Sequence, residues 1–542
     1  MACRKRADPL PCSLVRRLRD GRPVLRLFAI ASLLTGCIAP FDSSSDSDDL
    51  TSVDGAEYTI DFDGYVEVPA GASNDVARGA IHRQLKSALG ALREKGIGVA
   101  DRDAQRNLAA AQLPRTRVQV VNGPALDRVR YHYHDTALVE KTHLPTGPVD
   151  LTLLYGDFIA RAGELIPICS DDATTSADSL WYHYQPGITS CRNAITTERS
   201  AIDASRAGLA ADQLSQREAD RRFLTTRATL VRQADANETY PEYDQLYGFA
   251  GNTSRTKLVV YSFFGVDSDQ ASPRDNGIVE YMRYERELRR RLPALHVTET
   301  TPHAWLLDFY LDGQKVPATW DDVERWIVDR TGFPAAASTT AKRDELLRQV
   351  VANFRDRWIV WSMPVTVKRG SVERTMTVEI RTWYGLEDGS WDIREHARWR
   401  YLEAFWHADV FSYTGHSHFG HGPLEPWTYS GSNFPDRYQV MLVNSCLSFN
   451  YYDEDFLNMH PGQASKLDVV VNALPAYWLG MGQANAAYIA GLVGGTQSWR
   501  QILGAMAVDL PWEQAYDPMR AVNGELDNAY APAGTPIAVT PN

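Results

Sequence analysis

The strongest constraint on this chain is a set of short, unbroken apolar runs in its second half. Residues 257–264 (KLVVYSFF) end at Gly265, residues 409–413 (DVFSY) at Thr414-Gly415, residues 439–444 (QVMLVN) at Ser445-Cys446, and residues 467–471 (LDVVV) at Asn472. A run of this length without polar alternation suits a strand buried on both faces, as in the middle of a parallel sheet. Helical patterns at 278–292, 321–329, 341–354 and 393–406 separate the runs. Strands alternating with helices predict an α/β sheet carrying helices on both faces. Residues 358–367 and 373–383 alternate and meet at Lys368-Arg369-Gly370, which predicts a hairpin. Ligands of such sheets bind beyond the carboxyl ends of the strands, so the residues just after each run are where chemistry is expected.

The region before these runs, residues 57–250, predicts a smaller α+β domain. Strand patterns occupy 58–68, 117–121, 129–134 and 151–154. An amphipathic helix is expected over 74–94, and a long polar helical stretch over 193–235. Cys169 and Cys191 flank a polar loop containing Trp181-Tyr182-His183-Tyr184. In an exported protein such a pair is expected to form a disulfide, and a metal site with His183 fits no common ligand spacing.

Export is indicated by the N-terminus. Eight basic residues precede or enter a short apolar run over 25–34, and Leu34-Thr35-Gly36-Cys37 closes it. Basic segment, short apolar segment and small residues form a secretory signal, and the run is too short to span a bilayer. Leu-Thr-Gly-Cys resembles the lipobox of bacterial lipoproteins, which implies lipidation at Cys37. An ordinary signal peptide with a chance cysteine is the alternative. Removing residues 1–36 takes away eight basic and two acidic residues, leaving 48 and 66 and a net charge of −18. Membrane contact is therefore expected through the anchor alone, because an acidic surface disfavours anionic lipid. Ile38 after the cysteine leans, by the same resemblance, towards the outer membrane of a bacterial cell envelope. Residues 38–56 read as a disordered tether containing DSSSDSDD.

Composition narrows the function classes. At 44% hydrophobic, the 542-residue chain can build real cores, and roughly 100–200 residues per domain predicts more than one. A pI near 5.6 argues against nucleic acid as a partner. Six cysteines exclude a disulfide-dense scaffold. Gly494-Gly495-Thr496 lacks the lysine and flanking strand of a phosphate loop.

Two strand ends carry the chemistry. One run leads into Thr414-Gly415-His416-Ser417-His418-Phe419-Gly420-His421, and the next into Ser445-Cys446. A cysteine nucleophile acts as the thiolate, and an adjacent imidazole can take its proton and return it to a leaving amine. Tyr413-Thr414-Gly415-His416 followed by Asn444-Ser445-Cys446, each after an apolar block, resembles the clan CD cysteine peptidases, the gingipains and caspases among them. The resemblance covers about 255–508 and implies a caspase/gingipain-like sheet with flanking helices in residues 255–522. It implies His416 as general base and acid and Cys446 as nucleophile. The backbone N–H groups of Cys446 and of Gly415 or Ser417 would form the oxyanion hole. Ser417 stands where that family carries glycine. The implied substrate is a peptide or protein, with no cofactor.

Several further expectations follow. Trp427 and Tyr429 are placed to line a substrate groove. Asp453, Glu454 and Asp455 are candidates for a pocket favouring a basic side chain. Asp409 and Asp436 are both candidates to orient His416. His416, His418 and His421 form an H-x-H-x-x-H cluster suited to zinc or copper, with Cys446 as a fourth ligand. A non-catalytic binding or adhesion protein of the same fold is a third reading. Residues 523–542 read as an irregular tail.

Overall fold

The unbroken apolar runs form the middle of a ten-stranded mixed sheet. A computed structural model describes residues 50–100, 113–234, 238–267, 272, 274–298, 304–385 and 391–542. The expected signal segment with Cys37, and residues 38–49 of the expected tether, lie outside the described residues. Five strands run parallel in the order Val372–Gly385, Lys257–Gly265, Val410–Thr414, Gln439–Asn444 and Leu467–Asn472. Antiparallel strands flank them: Arg357–Arg369 and His296–Val297 on one side, Arg520–Asn523 and Thr51–Ser52 on the other.

Every residue of Gln439–Asn444 and Leu467–Asn472 is buried. The physical reason is that two cores grip the sheet. Successive side chains point to opposite faces, so Tyr261, Phe263, Phe411, Tyr413, Met441 and Val443 enter one core. Their neighbours Val260, Phe264, Val410, Val440 and Leu442 enter the other. The second core is closed by helices that include Asn276–Arg291, Thr340–Phe354 and Met481–Gly494. Buried polar side chains on that face are linked across the strands. Ser412 donates to Ser262 at 2.9 Å, and Asn485 donates to Ser412 and Thr414 at 3.2 and 3.1 Å. Such pairing removes the cost of burying hydroxyls in an apolar layer.

The first core is shared with a seven-stranded sheet built from the N-terminal part. Its order is Val149–Leu154, Phe223–Arg232, Gly55–Pro69, Ala125–Glu140, Arg115–Val120 and Gln213–Leu214, with Ile97–Val99 also paired to Ala125–Glu140. The helix Asn74–Arg93 packs on its inner face through Ala77, Ile81, Leu85, Ala88 and Leu92. The sheets meet closely: a Cβ on Gly98 would lie 2.7 Å from the Ala473 carbonyl oxygen. Asn450 also donates its side-chain amide to the Val99 carbonyl. Residues 47–542 thus form one compact unit.

Three sequence expectations are corrected. The polar stretch 193–235 is not one helix: the helix Thr189–Ser205 ends early, and Phe223–Arg232 is a strand paired on both sides. The tail 523–542 is not irregular throughout, because Ile537–Pro541 adds a strand to the free edge of Arg357–Arg369. The expected tether ends sooner, since Thr51–Ser52 pairs with Arg520–Asn523. In each case tertiary pairing supplies what local composition does not. Among the described residues no helix is long and apolar enough to cross a membrane.

Candidate active site

Neighbouring parallel strands deliver the chemistry-bearing residues to one rim. Thr414 is in register with Asn444 on one side and with Phe264 on the other. His416 and Cys446 each lie two residues beyond this row, and Asp267 lies three beyond it. On the next strand, Asn472 is fully buried, and its amide donates to the Asn444 side chain at 3.1 Å and the Ser445 carbonyl at 3.0 Å. That pairing fixes the backbone just before the cysteine.

The His416 side chain is 42% exposed, and its Nε2 lies 3.3 Å from Asp267 Oδ1 and 3.4 Å from the Asp267 carbonyl oxygen. The Trp478 ring stands edge-on to the imidazole at 5.3 Å. Asp267 is itself positioned: Asn276 donates to its carboxylate at 2.7 Å, and its own N–H donates to Asp275 at 2.9 Å. Asp275 in turn caps the helix Asn276–Arg291. The hydrogen bond from His416, joined by those from Asn276 and Trp478, holds the Asp267 carboxyl below its ordinary range despite burial. An acid bonded at Nε2 sets the tautomer, so Nδ1 takes the proton-accepting role.

The acid is therefore neither of the two expected. Asp409 sits at the start of the histidine strand, where it accepts from Val259 N–H at 2.8 Å and pairs with Arg255 at 2.7 Å. Asp436 pairs with Lys466 near the surface. Asp267 follows the apolar run 257–264, and the strand-end rule that singled out His416 and Cys446, applied to that run, would have found it.

Cys446 is half-buried and is not in a disulfide. Its thiol donates to the Ala476 carbonyl at 3.2 Å. Burial pushes the thiol above its ordinary value. Leu447, buried, has φ of 52°, a left-handed conformation that an L side chain adopts only when its surroundings hold it there. The Leu447 N–H is tied to the Leu474 carbonyl at 3.3 Å. The following helix, Phe449–Met459, begins after Ser448, so Cys446 precedes its first turn rather than lying in it. Of the expected oxyanion donors, the Gly415 N–H is engaged with the Asn444 carbonyl at 3.4 Å, and Ser417 is buried with its carbonyl accepting from Tyr452.

The histidine cluster does not converge. The His416 and His418 rings are 5.6 Å apart, His418 packs where a Cβ on Gly422 would stand, and His421 bonds Glu425 at 2.9 Å. Among the described residues no group of three or more His, Cys, Asp or Glu is arranged to hold a metal. Trp427 is exposed, with its indole donating to Glu425 at 2.9 Å. Tyr429 is buried against Phe405, 4.9 Å between ring centres, and so lines the core rather than a groove. Asp453 is buried and accepts from Asn523 at 3.0 Å, which removes it from the candidate pocket.

Tyr182 reaches the rim from the N-terminal part, a contact no spacing in the sequence foretells. The turn Leu180–His183 that carries it is clamped by a disulfide between Cys169 and Cys191. No family model matches the chain, and searches of curated proteins and of solved structures found no match.

Proposed function

We propose that the chain is a cysteine endopeptidase of the cell envelope, anchored by lipid at Cys37, with a caspase/gingipain-like catalytic sheet. The observation that carries this reading is the delivery of Asp267, His416 and Cys446 to one rim by three neighbouring parallel strands. His416 takes the thiol proton, and the sulfur attacks the scissile carbonyl carbon. The oxyanion so formed is stabilised by backbone N–H groups of the Cys446 and Ser417 segments. Collapse breaks the C–N bond, His416 gives its proton to the departing amine, and a thioester remains on Cys446. Water, deprotonated by His416, then releases the acid product and restores the thiol. Asp267 holds the imidazole and stabilises its charged form, as an orienting acid does.

The test is a mixed peptide library incubated with the purified protein and with Cys446→Ala, read by mass spectrometry. The reading expects cleaved peptides, together with an acyl adduct on Cys446 when a slowly turned-over peptide ester is supplied. Intact peptides and no adduct in folded protein would overturn it.

A further inference from the structure

A cleft of about 420 Å³ lies where three segments of the ten-stranded part meet. They are the turn leading into the helix Asn276–Arg291, the chain after the helical turn Arg325–Asp329, and the start of the helix Thr340–Phe354. Its apolar lining is Leu347, which is buried, and Phe333, which is half-buried. The Phe333 ring is stacked on the Trp326 indole, with 6.2 Å between ring centres and 9° between the planes. A flat apolar surface is therefore already in place inside the cleft.

The polar lining is dominated by three arginines, Arg274, Arg330 and Arg343. Each comes from a different segment, and the local backbone fixes each. The Arg274 N–H donates to the Ser272 hydroxyl at 3.2 Å, just before Asp275 caps its helix. Arg330 has φ of 57°, and its N–H donates to the Arg325 carbonyl. Arg343 donates through Nε to the Ala337 carbonyl at 3.1 Å and lays its guanidinium over the Phe333 ring at 5.4 Å. Asp344 is the one carboxylate among the lining residues, so the cleft carries two surplus positive charges. The chain as a whole carries −12, which makes this surplus a local feature and not part of a generally basic surface. Like charges gathered at one cleft repel, and an anion placed between them removes that cost. The repulsion is felt at Arg330, whose ionisation is held below its ordinary range by burial and by the Arg274 charge.

We propose that this cleft binds a small soluble phosphate monoester, with the phosphate held among Arg274, Arg330 and Arg343 and the carbon part laid against Phe333 and Leu347. A phosphate monoester carries close to two negative charges at neutral pH, which matches the surplus. Planar guanidinium groups pair two N–H donors with two phosphate oxygens, a fit that an ammonium lacks. The Thr340 hydroxyl, also in the lining, supplies a further donor. A carboxylate or a sulfate monoester brings one charge and leaves half the surplus unmatched. The ligand is a soluble ester and not a lipid headgroup, because the acidic chain as a whole is repelled by an anionic membrane surface. The site stands apart from Asp267, His416 and Cys446, and the inference does not depend on the peptidase reading.

The experiment is calorimetric titration of phenyl phosphate into the purified full chain at pH 7.5 and low salt. One-to-one binding with Kd at or below about 1 mM is expected. Arg274→Gln and Arg330→Gln should each weaken it about tenfold, the loss of one charge-assisted contact. Phenyl sulfate has the same shape and one charge less, and should also bind about tenfold more weakly. Inorganic phosphate, which lacks the ring, should bind more weakly than phenyl phosphate by a factor of roughly ten. Thermal unfolding of each variant confirms that it is folded, and phenyl phosphate should raise the unfolding temperature of the parent and not of the variants. No saturable binding to the folded parent would overturn the proposal. So would an affinity unchanged in either variant, or equal affinities for phenyl phosphate and either comparison ligand. Sedimentation with vesicles containing phosphatidic acid, lost in the same variants and without binding of the soluble ester, would overturn it in favour of a lipid headgroup.

Discussion

The two sheets treat their strands in opposite ways. In the ten-stranded sheet the central strands are buried along their whole length, so polar chemistry has only the strand ends to occupy. In the seven-stranded sheet Gly55–Pro69 and Ala125–Glu140 alternate buried with more exposed residues. There the polar groups sit along the face itself: His132 bonds Asp63 and Asp61 at 3.0 and 3.1 Å, and His134 bonds Asp61 at 2.7 Å. A sheet covered on both sides concentrates function at a rim, and one open to solvent spreads its charges. The second sheet meets the rim through the strand Ile97–Val99, whose Gly98 lies against Ala473, and through the turn Leu180–His183 beside Phe419.

The largest expected effect lies at the rim. Asp267→Asn should keep the fold and lower peptide turnover by about 10²–10⁴-fold, because an amide no longer fixes the imidazole tautomer. Steady-state hydrolysis beside a thermal melt checks this, and unchanged turnover would remove Asp267 from the site.

Deep burial in the ten-stranded sheet gives the next effect. Asp468 accepts from Tyr438, Asn528 and Trp499 at 2.6, 2.7 and 3.1 Å, yet burial pushes its carboxyl up to about 7. A folded value above the unfolded one means stability present below the ordinary carboxylate range and lost as pH rises towards 7. Asp468→Asn should therefore gain on the parent between pH 5 and pH 8 by a few kcal/mol, because a tenfold change in proton affinity on folding is worth roughly 1.4 kcal/mol. Urea unfolding at the two pH values measures it, and a pH-independent difference would contradict the assignment.

Two glycines of one helix sharpen the contrast between buried contact and open surface. Gly90→Ala should destabilise by about 1–3 kcal/mol, since the new Cβ meets backbone carbonyls. Gly79→Ala meets only the end of Arg83 at 3.7 Å, and should stabilise by up to about 1 kcal/mol through helix propensity. Parallel denaturant titrations would show opposite signs.

The smallest effect belongs to the open face. Its hydrogen bond to Asp63 raises the His132 pKa above the ordinary histidine value. An NMR titration should show this elevation reduced in Asp63→Asn, with stability changed by less than about 1 kcal/mol because the pair is exposed.

Much of this was legible in the sequence where burial writes a strong pattern. The continuous runs at 257–264, 439–444 and 467–471, the hairpin at Gly370 and the helix over 74–94 all follow from apolar periodicity. The placement of His416 and Cys446 at strand ends was legible for the same reason. Phe223–Arg232 was not, because a half-solvated strand rich in Arg and Thr resembles a polar helix in composition. Ile537–Pro541 and Thr51–Ser52 are strands only because an edge is waiting for them. Tyr182 packs on Phe419, three residues beyond His416, from a turn clamped by a disulfide far away in sequence, a relation with no local signature.

The most direct test of the account is the rate of Cys446 alkylation against pH in the parent and in His416→Ala. A cooperating pair predicts two ionisations in the parent, with the limb at lower pH lost when the imidazole is removed. A single ionisation at or above the ordinary thiol value, identical in both proteins, would contradict the account and leave Cys446 a buried thiol at the end of a strand.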